Sequence, residues 1–464
     1  MTTTAVNPYL EGNFAPVRSE ITADELKVIG ELPPDLSGMF VRNGPNPQFP
    51  PMGRYHWFDG DGMLHGVRIH QGKASYRNRY LRTQGFQLER EASGAIWTGL
   101  LEPPQTDNPH GPMKNTANTA LVWHDSRLLA LWEGGAPHAV QVPELETKGK
   151  YTYNGKLTSA FTAHPKVDPV TGEMMFYGYS LFEPPYLKYS LVSASGDLLW
   201  TVPIELPVGV MMHDFAVTQN YTIFMDLPLT FRKERAKRGE PAFMFEKDKP
   251  SRFGILPRHG DNSSIRWFET PACFVFHTLN AYEEGDEVVL IACRMSSTDV
   301  LGGGYAQDNP DGNIPRLHRW RFNIRTGKVK EERLDETPSE FPRVNEEWLG
   351  RKTRYGYTAK MADSEVPLFE GLIKHDFHSG TSATHAFGAG RYGGEAVFVP
   401  RPDGTAEDDG WLLTFVRDEG EQISELVVVD AQHLSAEPVA RVLMPQRVPY
   451  GFHGTWVSEA QMGS

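Results

Sequence analysis

Leu187–Leu206 reads LKYSLVSASGDLLWTVPIEL. Two β-rich runs flank Ser195-Gly196-Asp197, a turn signal of the kind that closes a hairpin. The same grammar recurs along the chain. EMMFYGYSLF (Glu173–Phe182), HDFAVTQNYTIFMDL (Glu173's run being followed by His213–Leu227), EVVLIACRMS (Glu287–Ser296) and LHRWRFNIRTGKVKEERL (Leu317–Leu334) are further β-rich runs, as are EAVFVP (Glu395–Pro400), GWLLTFVRD (Gly410–Asp418) and ISELVVVD (Ile423–Asp430). They contain or are separated by TQN, EEGDE, RTGK and RPDG, all turn formers.

Strands therefore recur every dozen residues or so, with no domain-breaking linker. An open sheet of that many strands has to curl or split, and radial repetition removes most exposed edges. No strict WD or kelch repeat is present. The pattern predicts an all-β chain, a single propeller domain over 1–464, with a pair of β-sandwich domains as the second choice. With 44 Gly and 35 Pro, turns are plentiful and long helices few. ITADELKVIG (Ile21–Gly30), with Thr22 as an N-cap, and KERAKRGE (Lys233–Glu240) read as short helical or loop insertions.

Composition removes several functions. The net charge of -13 argues against nucleic acid, whose phosphates need a basic face. Two cysteines, Cys273 and Cys293, are too few for a disulfide framework and lack metal-site spacing, so a reducing cytoplasm is expected. The first residues lack the basic and apolar regions of a signal peptide, and no apolar run reaches the roughly 18 residues of a membrane span.

Four of the 16 histidines stand in apolar or aromatic settings: His164 in SAFTAHPKVDP, His213 in VGVMMHDFAVT, His277 in CFVFHTLNAYEE and His453 in VPYGFHGTWV. His110, His259 and His433 lie in polar turns and read as surface residues. A buried imidazole is costly unless both ring nitrogens are satisfied, and a metal or a carbonyl partner would serve. No HExxH spacing exists. Spacing alone favours four separate core histidines over one shared metal. Glu133 in LALWEGGAP, Glu340 in PSEFPRVNEE and Glu395 in RYGGEAVFVPRP sit beside apolar or glycine residues, where an unpaired carboxylate is costly. Each would be satisfied by an arginine such as Arg343 or Arg401, or by the second N–H of a metal-bound imidazole. Asp59 and Asp61 in FDGDGMLH lack the rest of a calcium loop and read as a turn.

Ordered motifs spanning nearly the whole chain change the balance. NPYLEGNFAPV, FVRNGPNPQF, FDGDGMLH, NTANTALVWH, LALWEGG, TAHPKVDP, MMHDFAVT, FHTLNAYEE, SEFPRV, GGEAVFVPRP and VPYGFHGTWV together resemble the carotenoid cleavage oxygenase family. The resemblance implies a seven-bladed β-propeller, capped by loops and short helices, with one Fe(II) on its axis held by His164, His213, His277 and His453. It implies that Glu133 orients His213, Glu340 His277 and Glu395 His453, with no carboxylate on His164. Neutral imidazoles suit Fe(II) and leave positions free for O2, whereas zinc usually stops at four ligands and has no redox chemistry. Trp132, Phe276 and Phe341, each beside one of these residues, resemble tunnel-lining positions; core packing is the alternative for each.

The substrate implied is a carotenoid or apocarotenoid, cleaved by O2 into two carbonyl fragments. Stilbene-cleaving members resemble one another in a lysine just before the first glutamate, where this chain has Trp132; a phenol is disfavoured. VPYGFHGTWV and the NFAPV opening look closest to plant-like and cyanobacterial carotenoid cleavers, and favour the 9,10 (9′,10′) bonds over 15,15′. A propeller that binds carotenoid without cleaving it is the non-enzymatic alternative. Residues 226–249 mix Leu227, Leu229, Phe231, Phe243, Met244 and Phe245 with basic residues, as a peripheral membrane contact would.

Overall fold

The computed structural model describes residues 7–103, 105–238, 240–299 and 310–463. They form a seven-bladed β-propeller whose blades are antiparallel meanders, with one extra two-stranded hairpin. Blade 1 runs from Ala120 to Lys150, blade 2 from Lys166 to Ile204, blade 3 from Ala216 to Thr270, blade 4 from Phe274 to Arg333 and blade 5 from Ser339 to Ala386. Blade 6 takes Arg391–Tyr392 and four strands between Val397 and Leu443, then Val28–Gly30 as its outer edge. Blade 7 joins both ends of the chain. Its strand Gly454–Ser458 pairs with Gly38–Pro45, and Gly62–His70, Lys73–Tyr80 and Thr22–Ala23 follow outward. That closure excludes the paired sandwiches.

Leu187–Leu206 shows why each blade forms. Leu187 opposes Ile204, Tyr189 opposes Val202, and Leu191 opposes Trp200. Gly196 takes φ +78°, which only glycine adopts freely, and Asp197 N–H reaches Ser193 Oγ at 3.0 Å to close the turn. Leu187, Tyr189 and Leu191 are fully buried on the face turned to blade 3.

Each gap between neighbouring blades is filled by its own apolar cluster. Met175, Tyr177 and Phe215 lie between blades 2 and 3, Met225, Phe253 and Phe274 between 3 and 4, and Phe40, Trp411 and Leu426 between 6 and 7. Burial of each such side chain contributes about 1.5–3 kcal/mol, so the ring is held side to side. An ionic clasp adds to this. Asp168, just past the strand Lys166–Val167, meets Arg258 at 2.6 Å and Arg351 at 3.0 Å, and accepts the N–H groups of Val170 and Thr171. It ties blade 2 to blade 3 and to the loop inside blade 5.

Two expectations need correction. Thr22 caps no helix: Thr22–Ala23 and Val28–Gly30 are edge strands. β-Branched Val28 and Ile29 suit a sheet edge, and Leu26 packs into the cluster between blades 6 and 7. Within 226–249, Leu229–Phe231 pairs with Phe243–Phe245 around the helix Lys233–Lys237. Leu227, Leu229 and Phe245 are buried in the cluster between blades 3 and 4, and Arg235 is buried against Glu246. These four side chains are therefore unavailable to a membrane; Phe231, Phe243 and Met244 stay half-exposed.

A helix unforeseen from sequence, Gln84–Ala92, is capped by Thr83 and joined through Glu89 and Lys114 to Asp61. Asp59 accepts the N–H groups of His56 and Leu100. Both carboxylates of FDGDGMLH thus serve the turn. Among the described residues no helix is long and apolar enough to cross a membrane.

Candidate metal centre

The innermost strands of the blades converge on four imidazoles. His164 precedes the inner strand of blade 2, His213 that of blade 3 and His453 that of blade 7, while His277 lies within the inner strand of blade 4. One nitrogen from each of the four falls within 4.8 Å of the others. Ring centroids are 4.6 Å apart for His164 and His453, 4.7 Å for His164 and His213, and 4.7 Å for His277 and His453.

The three glutamates come from the remaining blades. Glu133 leaves the second strand of blade 1, Glu340 sits on the inner strand of blade 5 and Glu395 precedes the inner strand of blade 6. Each of the seven blades thus supplies one residue. His213 Nδ1 is 2.6 Å from Glu133 Oε2, His277 Nδ1 is 2.6 Å from Glu340 Oε2, and His453 Nδ1 is 2.8 Å from Glu395 Oε1.

Local irregularities aim these side chains. The ladder of blade 4 slips between Val275 and Thr278, lifting His277 out of register. That of blade 5 slips between Glu340 and Arg343, and Phe341 takes φ +51°. A bulky side chain there is strained. The strain lets consecutive residues serve one site, since Glu340 reaches His277 while the Phe341 ring lies 5.5 Å from His277 and 5.3 Å from His453. Phe276 stacks edge-on to His213 at 5.3 Å. Trp132 differs: its indole folds over its own turn, where a Cβ on Gly134 would fall 2.3 Å from the ring.

Burial and neighbouring charges act differently on the imidazoles of the site. Burial, then the neighbouring imidazoles and Lys166, hold His164 well below the usual histidine range. Burial also lowers His453, against the pull of Glu395. For His277 burial acts downward but is outweighed by Glu340, Asp214 and Glu395, and the imidazole is raised. Glu395 is pulled down to about 2: burial opposes this, and Arg343 and His453 prevail.

The residues fit a metal ion. An Nδ1–H given to a carboxylate leaves the Nε2 lone pair facing inward on His213, His277 and His453. His277 Nε2 is buried with no hydrogen-bond partner, an orphan that a cation would satisfy.

Three partners of the centre escaped the sequence reading of the site. Tyr179 donates its hydroxyl to Glu133 Oε1 at 2.6 Å, and nothing in its surroundings in the sequence signals this. Asp214 follows His213 and bonds to residues beside two other histidines. Arg343, weighed above only as an alternative to a histidine, reaches Glu395 at 3.3 Å while His453 holds the same carboxylate. Arg401 pairs instead with Asp409.

Comparison with known proteins adds to this geometry. The family model described as retinal pigment epithelial membrane protein (RPE65) matches residues 14–458. A carotenoid 9,10(9′,10′)-cleavage dioxygenase of Pisum sativum is 45% identical, the match covering 98% of this chain and 90% of that protein. A carotenoid cleavage oxygenase of Mycobacterium tuberculosis is 36% identical, with 97% of each chain covered. Among solved structures, a lignostilbene dioxygenase of Pseudomonas brassicacearum superposes with a TM-score of 0.90 at 31% identity, covering 97% of this chain and 98% of that one. A cobalt-substituted Synechocystis apocarotenoid oxygenase gives 0.83 at 30% identity, covering 96% of each chain.

Proposed function

Because the chain belongs to the RPE65/carotenoid cleavage oxygenase family, we propose that it is an oxygenase that splits a carotenoid or apocarotenoid double bond with O2, at the 9,10 (9′,10′) positions, at Fe(II) held by His164, His213, His277 and His453. The observation that carries this is the four-imidazole cluster with its three paired carboxylates. The 45% identity to 9,10(9′,10′)-cleaving dioxygenases supports the choice of bond.

Bound there, Fe(II) supplies the redox chemistry that lets O2 react with an electron-rich C=C bond. The products are two carbonyl fragments, and the two oxygen atoms of O2 supply both carbonyl oxygens. The chain's own residues set the conditions. Glu133, Glu340 and Glu395 each hold one Nδ1–H, which fixes the ring and makes the opposite nitrogen a better ligand. Phe276 and Phe341 cover the imidazoles with apolar rings and exclude water. Trp132 stands where a phenol-binding lysine would be needed, so a hydrocarbon polyene is the preferred substrate.

Metal analysis of purified protein together with product analysis on β-carotene and apocarotenoids tests the reading. Cleavage at 9,10 releases a methyl ketone and a longer aldehyde. Two equal aldehydes from β-carotene would mean 15,15′ cleavage, and carotenoid retention with no bound iron a non-catalytic propeller.

A membrane contact would bring a lipid-dissolved substrate to the site. Phe182, 45% exposed, packs on Phe231, which packs on Phe243, and Lys233 lies over Phe182. Rings beside a cation suit a headgroup boundary. The double substitution Phe182→Asp with Phe243→Asp is expected to release the protein from anionic vesicles in a flotation assay and to spare turnover of detergent-dispersed substrate. Unchanged flotation would remove this face from the proposal.

A further inference from the structure

We propose that Asp214 is a positioning residue that sets the spacing of three of the four histidines, a reading that rests on the histidines holding a metal. Asp214 is 1% exposed and directly follows His213. Its Oδ1 meets Lys166 Nζ at 2.8 Å, and Lys166 lies two residues after His164. Its Oδ2 accepts both the N–H of Thr278 at 2.7 Å and the Thr278 hydroxyl at 2.8 Å, and Thr278 directly follows His277. Phe215 N–H completes the set on Oδ1 at 2.7 Å.

One carboxylate therefore joins the inner strands of blades 2, 3 and 4 next to the point where each presents its imidazole. The paired inner strands here are short, Lys166–Val167 and Ala216–Val217. Two-residue strands have little ladder of their own to fix their separation. At Thr278 the ladder slips on both sides, so sheet pairing does not fix that point either. The Asp214 bonds hold all three. Charge-assisted bonds of this type are short and directional, and ligand displacements well under a bond length change metal affinity.

The test compares wild type, D214N, T278V and D168N, loaded as full-length proteins with Co(II). Affinity is measured by chelator competition and geometry by the visible absorption bands of Co(II), alongside thermal melting of the metal-free forms. D214N is expected to weaken Co(II) binding about tenfold, as removal of an outer partner typically does, and to shift the bands. T278V keeps the N–H bond and the side-chain volume, and should move both readouts less, in the same direction. D168N breaks an equally buried ion pair at the other end of the strand Lys166–Val167, and should lower melting while leaving affinity and bands alone. Wild-type affinity and bands in D214N overturn the inference. If D214N does not fold, T278V decides in its place. Equal loss of affinity in D214N and D168N also overturns it, because general loosening would then explain both. Wild type that binds no Co(II) refutes the metal reading on which the inference stands.

Discussion

His277→Ala is expected to leave the propeller standing while removing iron and turnover together. His277 lies in the slip of the blade 4 ladder, between the paired positions Val275 and Thr278. Trimming it breaks no strand pairing. At the site, His277 is one of four donors, and among the described residues no other stands ready to replace it. Without the imidazole, Glu340 keeps only the N–H of Phe341 and faces a void that water or a proton must fill. The activity loss should exceed the roughly 10–100-fold that follows from losing an outer partner. Metal stoichiometry by mass spectrometry, carotenoid turnover and circular dichroism check the three parts. Wild-type iron content with wild-type turnover would sink the assignment of His277 as a ligand.

Asp168→Asn is expected to lower stability by about 3–5 kcal/mol, as when one member of a buried ion pair is removed. Arg258 is 4% exposed, and its Nε and Nη2 have no hydrogen-bond partner. Asp168 is the carboxylate that balances it. Denaturant unfolding at neutral pH measures the difference. Its pH dependence has a definite sign. Burial alone would raise the Asp168 carboxyl, but Arg351, the N–H groups of Thr171 and Val170, and Arg258 together hold it below the ordinary value. A carboxyl depressed on folding adds stability in full above its unfolded value of about 3.9, and that stability is lost as pH falls further toward the folded value. The gap between wild type and D168N should therefore be constant near neutrality and shrink below about pH 4. A gap that does not depend on acid would show that the asparagine costs stability through packing rather than charge.

Fold class was legible because hairpins are local. Leu187–Leu206 carries its own turn and both of its strands, so its register follows from twenty residues. Closure was not legible on the same terms. Gly38–Pro45 and Gly454–Ser458 pair across nearly the whole chain, and nothing in either segment names the other. The failed helix at Thr22 has the same cause: a short polar stretch took the edges that blades 6 and 7 left open.

The histidines show a similar limit. Their spacing argued for separate core positions, since it reflects the length of a blade rather than any contact. Only the surrounding motifs grouped them. Glu133 reaches His213 across blade 2, a pairing that order along the chain does not suggest. The φ of Phe341 and the bond from Tyr179 to Glu133 depend on tertiary context alone. Asp214 had a signal that could have been read: a carboxylate, a lysine and a threonine each stand within two residues of a different histidine.

The strand that closes the ring also carries the segment of His453, and this orders events during synthesis. Arg42 Nη2 holds the carbonyl of Pro449, a contact 407 positions apart in sequence, and Asn43 N–H holds the carbonyl of His453. A growing polypeptide can complete blades 1 to 5 while still tethered to the ribosome, because their pairings are local. It cannot present the fourth imidazole until Gly454–Ser458 has emerged and found the waiting edge at Gly38–Pro45. That search is a loop closure of very high contact order, which makes it slow relative to hairpin formation. Metal capture by all four histidines therefore waits on this closure, and the chain with three imidazoles in place and blade 7 open is a distinct species that precedes it.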